Sequence, residues 1–427
     1  MVDIKDLREH PEIYKANNKK KARDVNLIED VLDLDKKWRK LKFKEDDLRS
    51  ERNKISEKIN KSKKEKNEKK AKELIKKAKE IPEKLNRLNN ETKETYKKLK
   101  EELSKIPTLM EDNVPIGKSD KENVVRKIVG KPPKFNFPIK NHVELIEDLD
   151  IGDFDVSGEV SGKGFYYLKN DLGLLNQALI QFTINFMQKN GYTYIEPPLV
   201  VHKKIAEAAE DFEAFKTKIY KVEDEDLYLI PTAEHSILGM MIGKTTPEEK
   251  LPLKFFGYSM CFRREIGSHG IDEKGLWRTH QFNKIEQFIF CHPKDSWKYY
   301  DELKKNSEEI MKKLKLPYRI FESCTGDLGD WKAKGEDLEV WRPTTKSYGE
   351  VGSLSNCVDS QAIDLNIKGI NKKGERYVLH TLNNTAVATS RIMVAILENF
   401  QQKDGSIKIP KVLWPYMNGK KKIEVKK

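Results

Sequence analysis

The first hundred residues repeat apolar positions in alternating steps of four and three. One series keeps this rhythm with Glu45 and Arg52 as its polar members: Leu27, Val31, Leu34, Trp38, Leu41, Leu48, Ile55 and Ile59. A second series follows the same rhythm: Leu74, Ala78, Ile81, Leu85, Leu88, Thr92, Thr95 and Leu99. Such spacing is typical of coiled-coil seams. Because the polar stretch 60–70 separates the two series, we predict an antiparallel coiled-coil helical hairpin over about 27–103.

Beyond the hairpin the pattern of apolar and structure-breaking residues changes twice. Prolines, glycines and Asn/Asp clusters first interrupt any regular pattern, which predicts a linker over 111–163. Leucine and phenylalanine then recur at helical spacing between Leu172 and Phe186, and Gly191 is placed to end that helix. The segments that follow are apolar runs between breakers, typical of a mostly antiparallel sheet: 192–201, 218–222, 227–230, 253–265 and 276–291. The predicted class is α+β, with an N-terminal domain over 1–110 and a larger domain over 164–427.

Length and composition limit the kinds of protein this chain can be. Its 427 residues suffice for two domains. No run of 18 apolar residues occurs, so we expect no membrane-spanning helix and no membrane partner. The acidic residues near the start, such as Asp3 and Glu9, match neither a secretory signal nor a mitochondrial presequence. We therefore expect a cytoplasmic protein.

The positive charge is concentrated in the N-terminal quarter. The formal net charge is +13, and residues 1–100 hold 33 Lys/Arg against 21 Asp/Glu, whereas the remainder holds 49 against 48. Between 54 and 79, twelve Lys/Arg face four acids. A solvated lysine-rich turn is one interpretation. The local surplus favours a second, contact between the tip of the hairpin and a nucleic acid.

The stretch "FRREIGSHGIDEKGLWRTHQFNKIEQF" at 262–288 carries the candidate chemistry. If 276–290 is one strand, alternate residues share a face, which joins Arg278, His280, Phe282, Lys284 and Glu286. Arg263 and Glu265 lie on the neighbouring strand of the predicted hairpin. Guanidinium groups suit phosphate and carboxylate, an aromatic ring stacks on a base, and carboxylates accept from amino groups. The pattern indicates a surface for a nucleotide and an amino acid, with a solvated sheet face as the alternative.

Several stretches resemble known motifs, in the same order along the chain. The stretch at 262–288 resembles motif 2 of class II aminoacyl-tRNA synthetases. "NNTAVATSRIMVAILENFQ" with "IKIPKVLWPYM" resembles motif 3, and the helix leading into "GYTYIEPPLVV" resembles motif 1. "PTAEHS" at 231–236 and "GEVGSLSN" at 349–356 narrow the resemblance to the seryl-tRNA synthetase family. The similarity extends over practically the whole chain.

The resemblance implies an activity and its partners. It implies a serine–tRNA ligase that activates L-serine with ATP to seryl-adenylate and transfers the seryl group to the terminal ribose of tRNA(Ser). Attack comes from the 3′-hydroxyl in this family, and Mg²⁺ accompanies the ATP. The resemblance further implies a homodimer built on motif 1. It also implies that the N-terminal helical hairpin holds the long variable arm of tRNA(Ser).

The resemblance also implies a set of site residues, with Arg263, Glu286 and Arg391 as the catalytic ones. Residues implied to bind ATP are Arg263, Arg264, Glu265, Arg278, Thr279, Phe282, Glu350, Val351, Gly352, Ser353 and Arg391. Those implied to bind serine are Thr232, Ala233, Glu234, Arg263, Glu286, Asn383 and Thr385. Glu350 and Ser353 are the implied Mg²⁺ ligands.

The chain departs from the family pattern at a few positions. Gly349 stands where a basic residue is usual, so that one γ-phosphate contact is either missing or supplied by Lys346. Gly352 stands where serine is common, and "QAIDLNIK" lacks the arginines usual after the glutamine-alanine pair. These differences bear on ATP affinity and leave the central site residues in place.

Two other functions remain open at this point. A related class II synthetase for threonine or proline is the first, although those families carry additional C-terminal anticodon-binding domains and this chain ends soon after motif 3. A catalytically inactive paralogue that acts as an RNA-binding protein is the second. The presence of Arg263, Glu286 and Arg391 argues against it.

Overall fold

The computed structural model describes residues 1–210, 216–265 and 274–424. The chain divides into two compact units, Met1–Pro107 and Thr108–Lys427. The first unit is helical: α1 (Ile4–Glu9), α2 (Pro11–Lys20), α3 (Leu27–Lys64) and α4 (Glu68–Leu103). In the part of the chain that is described, no helix combines the length and apolar character needed to cross a membrane.

Helices α3 and α4 pack along each other as the predicted hairpin. Val31, Leu41 and Ile55 are buried in α3, and Ile81 and Leu99 are buried in α4. The joint is shorter than the predicted polar stretch 60–70, because both helices extend into it and only 65–67 lie between them. Lysine and glutamate are good helix formers, so the charged sequence continues the helices instead of interrupting them.

The second unit contains eight described helices and seventeen strands. Its helices are α5 (His142–Asp148), α6 (Asp155–Ser161), α7 (Asn170–Lys189), α8 (Lys203–Ala209), α9 (Ala233–Gly239), α10 (Ser296–Leu314), α11 (Ser360–Leu365) and α12 (Thr389–Phe400). Its strands are β1 (Val124–Val129), β2 (Gly152–Asp153), β3 (Tyr167–Leu168), β4 (Thr193–Ile195), β5 (Val200–Val201), β6 (Tyr228–Leu229), β7 (Thr245–Pro247), β8 (Leu253–Phe262), β9 (Gln281–Cys291), β10 (Tyr318–Glu322), β11 (Lys334–Arg342), β12 (Ser347–Val358), β13 (Lys368–Ile370), β14 (Arg376–Val378), β15 (His380–Ala388), β16 (Ile407–Lys408) and β17 (Lys422–Ile423).

An eight-stranded sheet forms the centre of the second unit. Its order is β1-β10-β11-β12-β15-β9-β8-β4, and every neighbouring pair is antiparallel except β4 and β8. The predicted α+β class with a mostly antiparallel sheet is confirmed. Helices α7 and α12 contribute their apolar residues to the main core, as Leu172, Leu179 and Ile396 show by their complete burial. Strand β9 therefore lies between β15 and β8 in the middle of the sheet.

Residues 111–163, which the sequence pattern predicts as a linker, take part in this unit. Strand β1 forms one edge of the large sheet by pairing with β10. Leu145, Ile146 and Leu149, on or directly after α5, are buried in the main core. Prolines and glycines interrupt regular structure locally, but they do not prevent the apolar residues between them from being buried.

Strand β9 is shorter than the sequence predicts. It begins at Gln281 and not at 276, so Arg278 and His280 precede the strand. A tertiary contact holds the segment before it: the Leu276 amide donates to His142 Nε2 at 3.2 Å, and His142 Nδ1 lies 3.2 Å from Glu398 Oε1. At Gly275, which has φ +122, a Cβ would lie 2.2 Å from His142 Nε2. The histidine therefore requires a glycine beside it and keeps this segment out of the sheet.

Candidate active site

A cleft on the central strands gathers ten of the predicted site residues. It is a partly open depression with about 440 Å³ of empty space, open solvent included. Predicted residues on its wall are Arg263, Glu265, Arg278, Thr279, Phe282, Glu350, Val351, Gly352, Thr385 and Arg391. Segments far apart in the sequence thus converge on one cavity.

Arg263 follows directly after β8 and is fixed from two sides. Its Nε and Nη2 each lie 3.4 Å from the carbonyl oxygen of Pro231, to which they donate. Its Cζ lies 5.3 Å from the ring centroid of Phe282, within cation–π range. The guanidinium is therefore positioned before any anion binds.

Arg278 and Glu265 face each other across the cleft wall, with Nη1 and Oε2 3.5 Å apart. Glu265 has φ +45, a left-handed conformation that non-glycine residues rarely adopt. Such backbone strain costs about 1–3 kcal/mol and persists only where the surroundings enforce it, often at functional sites. The strained residue lies here on the wall of the cleft.

Arg391, near the start of α12, is held by the backbone and side chain of β12. Its Nη1 donates to the Glu350 carbonyl at 2.7 Å and to Glu350 Oε2 at 3.2 Å, and its Nε donates to the Trp277 carbonyl at 3.2 Å. Desolvation by the cleft walls raises the pKa of Glu350, but Arg391 and Arg263 outweigh it and hold this pKa below its ordinary value. Glu350 is therefore a carboxylate at neutral pH.

A buried ion pair lies on β9, and its lysine lines the cleft. Lys284 and Glu286 are both almost fully buried on β9, and Lys284 Nζ lies 2.7 Å from Glu286 Oε2. Thr385 on β15, directly opposite Glu286 in the register, donates from Oγ1 to the same oxygen at 3.2 Å. The carboxylate is thus compensated by one cation and one hydroxyl.

A second, half-buried carboxylate belongs to helix α9. The Thr232 hydroxyl accepts from the Glu234 amide at 3.3 Å and caps this helix. Gln361 Nε2 donates to Glu234 Oε1 at 2.8 Å. Burial, with a further contribution from the charge of Glu286, raises the pKa of Glu234, although His235 and Gln361 act in the opposite direction. Glu286 is thus close enough to Glu234 for its charge to raise the pKa of Glu234.

The helix can approach the sheet closely because residue 257 has no side chain. At Gly257 on β8, a Cβ would lie 2.9 Å from the Ala233 Cβ and 3.0 Å from Ile237 Cδ1. Gly257 is also the register partner of Glu286. The glycine therefore brings the Thr232–Glu234 segment against the strand that carries Glu286.

Glu350 and Ser353 on β12, with Asp337 on the neighbouring strand β11, form a candidate Mg²⁺ site. Ser353 on β12 is the register partner of Asp337 on β11. Glu350, on the same strand as Ser353, is the register partner of Glu339, which lies two residues after Asp337 on β11. Burial, with a contribution from nearby Glu350, raises the pKa of Asp337 to about 7, and a hydrogen bond with Ser353 acts in the opposite direction. Carboxylate and hydroxyl oxygens suit Mg²⁺, which usually keeps few protein ligands beside substrate phosphates.

The other predicted residues lie outside the cleft wall. Arg264 lines a separate basic cavity together with Lys203, Lys216, Lys221 and Tyr220. Ser353 lies behind the wall on β12, and Asn383 lies on β15 two residues before Thr385. Lys346 is exposed and is not among the residues that line the cleft.

Sequence reasoning missed two residues that shape the site and gave a third no role. Trp277 lines the cleft, and His142 holds the segment that carries Trp277. Lys284, which also lines the cleft, was placed on one strand face with Phe282 and Glu286 but was not assigned a function. His142 gave no local signal, since its partners lie more than a hundred positions away in the sequence.

Comparisons with known proteins agree over both units. Residues 1–110 match the "Seryl-tRNA synthetase N-terminal domain" and residues 215–400 match the "tRNA synthetase class II core domain (G, H, P, S and T)". A serine–tRNA ligase of Methanospirillum hungatei is 45% identical, over 98% of this chain and 99% of its own length. One of Pyrococcus horikoshii is 42% identical, over 100% and 98%. The chain belongs to the seryl-tRNA synthetase family.

Solved structures of family members share the fold. The seryl-tRNA synthetase of Pyrococcus horikoshii complexed with ATP has a TM-score of 0.91 at 40% identity, over 100% of both chains. The cytoplasmic serine–tRNA ligase of Naegleria fowleri in complex with AMP has a TM-score of 0.84 at 33% identity, over 98% of this chain and 96% of that one. A prolyl-tRNA synthetase of Giardia lamblia, at 17% identity and a TM-score of 0.57 over 64% of this chain and 55% of that one, shares the fold alone. The resemblance to seryl-tRNA synthetases is confirmed, and serine is favoured over proline.

The buried pair predicts a stability effect. Lys284→Met leaves the Glu286 carboxylate buried without its cation, so we expect a loss of about 3–5 kcal/mol in the free energy of unfolding. Adding Glu286→Gln to that variant should restore part of the loss, because the uncompensated charge is removed. Denaturant unfolding measures both variants, with Lys244→Met at an exposed lysine as the matched control. Equal stability of Lys284→Met and the unmodified chain would contradict the buried pairing.

Proposed function

We propose that this chain is a serine–tRNA ligase that works through the cleft described above. The serine carboxylate attacks the α-phosphorus of ATP, pyrophosphate leaves, and seryl-adenylate forms. A ribose hydroxyl at the 3′ end of tRNA(Ser) then attacks the seryl carbonyl, and AMP leaves. The observation that carries this proposal is the convergence of Arg263, Arg278 and Arg391 around Phe282, beside the half-buried carboxylate of Glu234 and the buried one of Glu286.

Arg263 acts in the adenylation step by orientation and charge. Its guanidinium contacts the α-phosphate and the serine carboxylate together, which holds nucleophile and phosphorus at reacting distance. It also stabilises the charge that develops at phosphorus in the transition state. No side chain is needed as a base, because the attacking carboxylate is already ionised. The fixed position of Arg263 between Pro231 and Phe282 supports this role.

The adenine and phosphates of ATP take the outer part of the cleft. The base stacks on Phe282, with the Arg391 guanidinium on its other side, and Glu265 accepts from the adenine amino group. Arg278 contacts the γ-phosphate. All four side chains lie on the wall of the same cleft, which supports this arrangement.

Serine takes the inner part, where the carboxylates of Glu234 and Glu286 are near each other. Its ammonium binds Glu234 and Glu286, and its hydroxyl is bound by polar groups that include Thr385, with Thr232 and Asn383 nearby. A site built to hydrogen-bond a hydroxyl rejects an analogue without it by about 10⁴–10⁵-fold. Such a pocket rejects alanine without an editing site.

Mg²⁺ accompanies the triphosphate in this proposal. Glu350 and Ser353 are the protein ligands, and Asp337 accepts from the Ser353 hydroxyl and so orients it. When bound, the ion would neutralise charge on the phosphates. Within the described residues, no cluster of three or more His, Cys, Asp or Glu side chains could hold a metal by itself. This supports a site completed by substrate phosphates.

The tRNA contacts two basic regions. The tip of the α3–α4 hairpin carries most of the excess positive charge and binds the long variable arm. The basic cavity around Arg264 receives the 3′ end, with Tyr220 and Tyr228 as stacking surfaces beside three lysines. Arg263 and Arg264 are adjacent in the sequence and line the two different cavities. The acceptor end would therefore lie next to the adenylate.

The proposal includes a homodimer in the cytoplasm. Apolar side chains are exposed on α6, β3 and α7, the region that leads into motif 1: Val156, Val160, Tyr167 and Leu174. A second copy of the chain would cover them. The inactive-paralogue alternative has no observation in its favour, since the proposed catalytic residues are present and partnered.

The activity is tested by amino-acid-dependent exchange between ATP and pyrophosphate. Among the twenty amino acids, serine should support rapid exchange, and Arg263→Ala should reduce it at least about 10²–10³-fold, because the main orienting cation is lost. Arg23→Ala, at an exposed arginine of the N-terminal unit, is the matched control and should exchange normally. Exchange that depends on another amino acid would refute serine as the substrate.

Serine binding should depend on pH through Glu234. Because burial raises the pKa of Glu234, this carboxyl becomes protonated at a higher pH than an ordinary glutamate as the solution is acidified. The neutral form cannot pair with the ammonium, so kcat/KM for serine should fall as pH decreases. Gln361→Leu removes a hydrogen bond that lowers this pKa, and should shift the profile to still higher pH. An unshifted profile would exclude Glu234 as the ammonium ligand.

Charge reversal at the hairpin tip should separate the two half-reactions. Changing Lys61, Lys63, Lys64 and Lys66 to glutamate should leave serine-dependent exchange intact while raising KM for tRNA(Ser) at least about tenfold, because phosphate contacts are lost. The salt dependence of tRNA binding should weaken as well. Four exposed lysines of the second unit, Lys294, Lys305, Lys313 and Lys372, changed in the same way give the control. Normal charging by the tip variant would eliminate the hairpin as a tRNA contact.

A further inference from the structure

Trp277 lies at the point where two arginines and β12 meet beside the cleft. Its indole is 8% exposed and forms part of the cleft wall. The Arg342 guanidinium carbon lies 4.1 Å from the ring centroid, and that of Arg391 lies 5.5 Å from it. Arg342 is itself buried. One indole thus contacts both a buried arginine and an arginine of the cleft wall.

The indole fits because residue 349 has no side chain. A Cβ at Gly349 would lie 2.4 Å from Trp277 Cζ2, 2.9 Å from its Cη2 and 3.2 Å from Arg342 Cδ. Contacts this short do not occur with a real Cβ, so either the indole or the strand would have to move. Gly349 has no positive φ that would itself demand glycine. The requirement at this position is therefore one of space, imposed by Trp277.

Arg391 is held in two complementary ways. Hydrogen bonds to the carbonyl oxygens of Glu350 and Trp277 fix two edges of its planar guanidinium. Those bonds leave rotation out of the plane less restricted, and an aromatic surface against one face restricts it. An arginine side chain that is already ordered loses less entropy when a ligand binds. The indole thus restricts the out-of-plane rotation of the Arg391 guanidinium, which the hydrogen bonds restrict less.

We propose that Trp277 is a positioning residue for nucleotide binding, whose indole, accommodated by Gly349, presets the Arg391 guanidinium for the adenine ring. This inference rests on the proposed function only for the identity of the nucleotide. Trp277 acts through Arg391 and does not take part in the reaction. Arg342 supports the indole from a buried position and keeps a positive charge next to the cleft.

Equilibrium binding of ATP in the absence of serine tests the proposal. Trp277→Leu should raise the dissociation constant for ATP about fivefold, and Trp277→Phe, which keeps an aromatic face, only about twofold. Gly349→Ala should raise it about fivefold by displacing the indole. The double variant Trp277→Leu with Gly349→Ala should also show about fivefold and not the product of the two, because no indole remains to be displaced. Trp297→Leu, at a tryptophan outside the cleft wall, should leave the constant unchanged.

Steady-state exchange gives a readout that a purely structural role would not produce. In the Trp277 variants KM for ATP should rise while KM for serine stays constant, and circular dichroism should show folded protein. ATP should change the intrinsic fluorescence of the unmodified chain, and Trp277→Phe should abolish that change.

A dissociation constant for ATP in Trp277→Leu within twofold of that of the unmodified chain, or multiplicative effects in the double variant, would overturn the proposal. Should Trp277→Leu fail to fold, Trp277→Phe and Gly349→Ala decide it by the same measurement. Absence of serine-dependent exchange alongside these ATP shifts would refute the proposed function and leave the role of Trp277 standing.

Discussion

Like charges that are gathered in one cleft repel each other, and the active site depends on how each cation is held before substrate arrives. Arg278 has Glu265, Arg391 has Glu350, and Lys284 has Glu286. Arg263 is held by a carbonyl oxygen and an aromatic ring, at Pro231 and Phe282, and among the described residues no carboxylate forms an ion pair with it. Its positive charge is therefore the least neutralised by direct partners. Preorganised charge of this kind stabilises a transition state because little reorganisation is needed at the moment of reaction.

The register of the central strands is what makes this arrangement reproducible. Glu286 on β9 is opposite Gly257 on one side and Thr385 on the other. A shift of β9 by one residue would turn Phe282, Lys284 and Glu286 to the opposite face and remove the first two from the cleft wall. The same register places the close helix approach at Gly257 beside the buried carboxylate. The apolar core beneath the sheet fixes this register, so the chemistry of the site depends on core packing.

Local periodicity explains which features could be predicted from the sequence. The hairpin and the α+β class follow from four-three spacing and from alternation, both of which are properties of neighbouring residues. Alternation on β9 also predicts that Phe282 and Glu286 share a face. The predicted start of β9 was wrong by five residues, because the segment before Gln281 lies outside the sheet and its Leu276 amide is hydrogen-bonded to His142. The role of Trp277 depends on the space that the missing side chain of Gly349 leaves for the indole. Arg264 lines a cavity separate from that of Arg263, although the two residues are adjacent in the sequence. Neither is visible in spacing along the chain.

The charges around the inner pocket determine how a zwitterion can enter it. Lys284 compensates Glu286, while Glu234 has hydrogen bonds and nearby His235, and no lysine or arginine of the described residues forms an ion pair with it. The pocket therefore carries an excess of negative charge at its inner end, and the guanidinium of Arg263 lies toward the cleft. An ammonium group is attracted inward and a carboxylate outward. In the proposed reaction, this polarity directs the carboxylate of serine to the α-phosphate. The charges that select an amino acid therefore also orient the carboxylate that attacks.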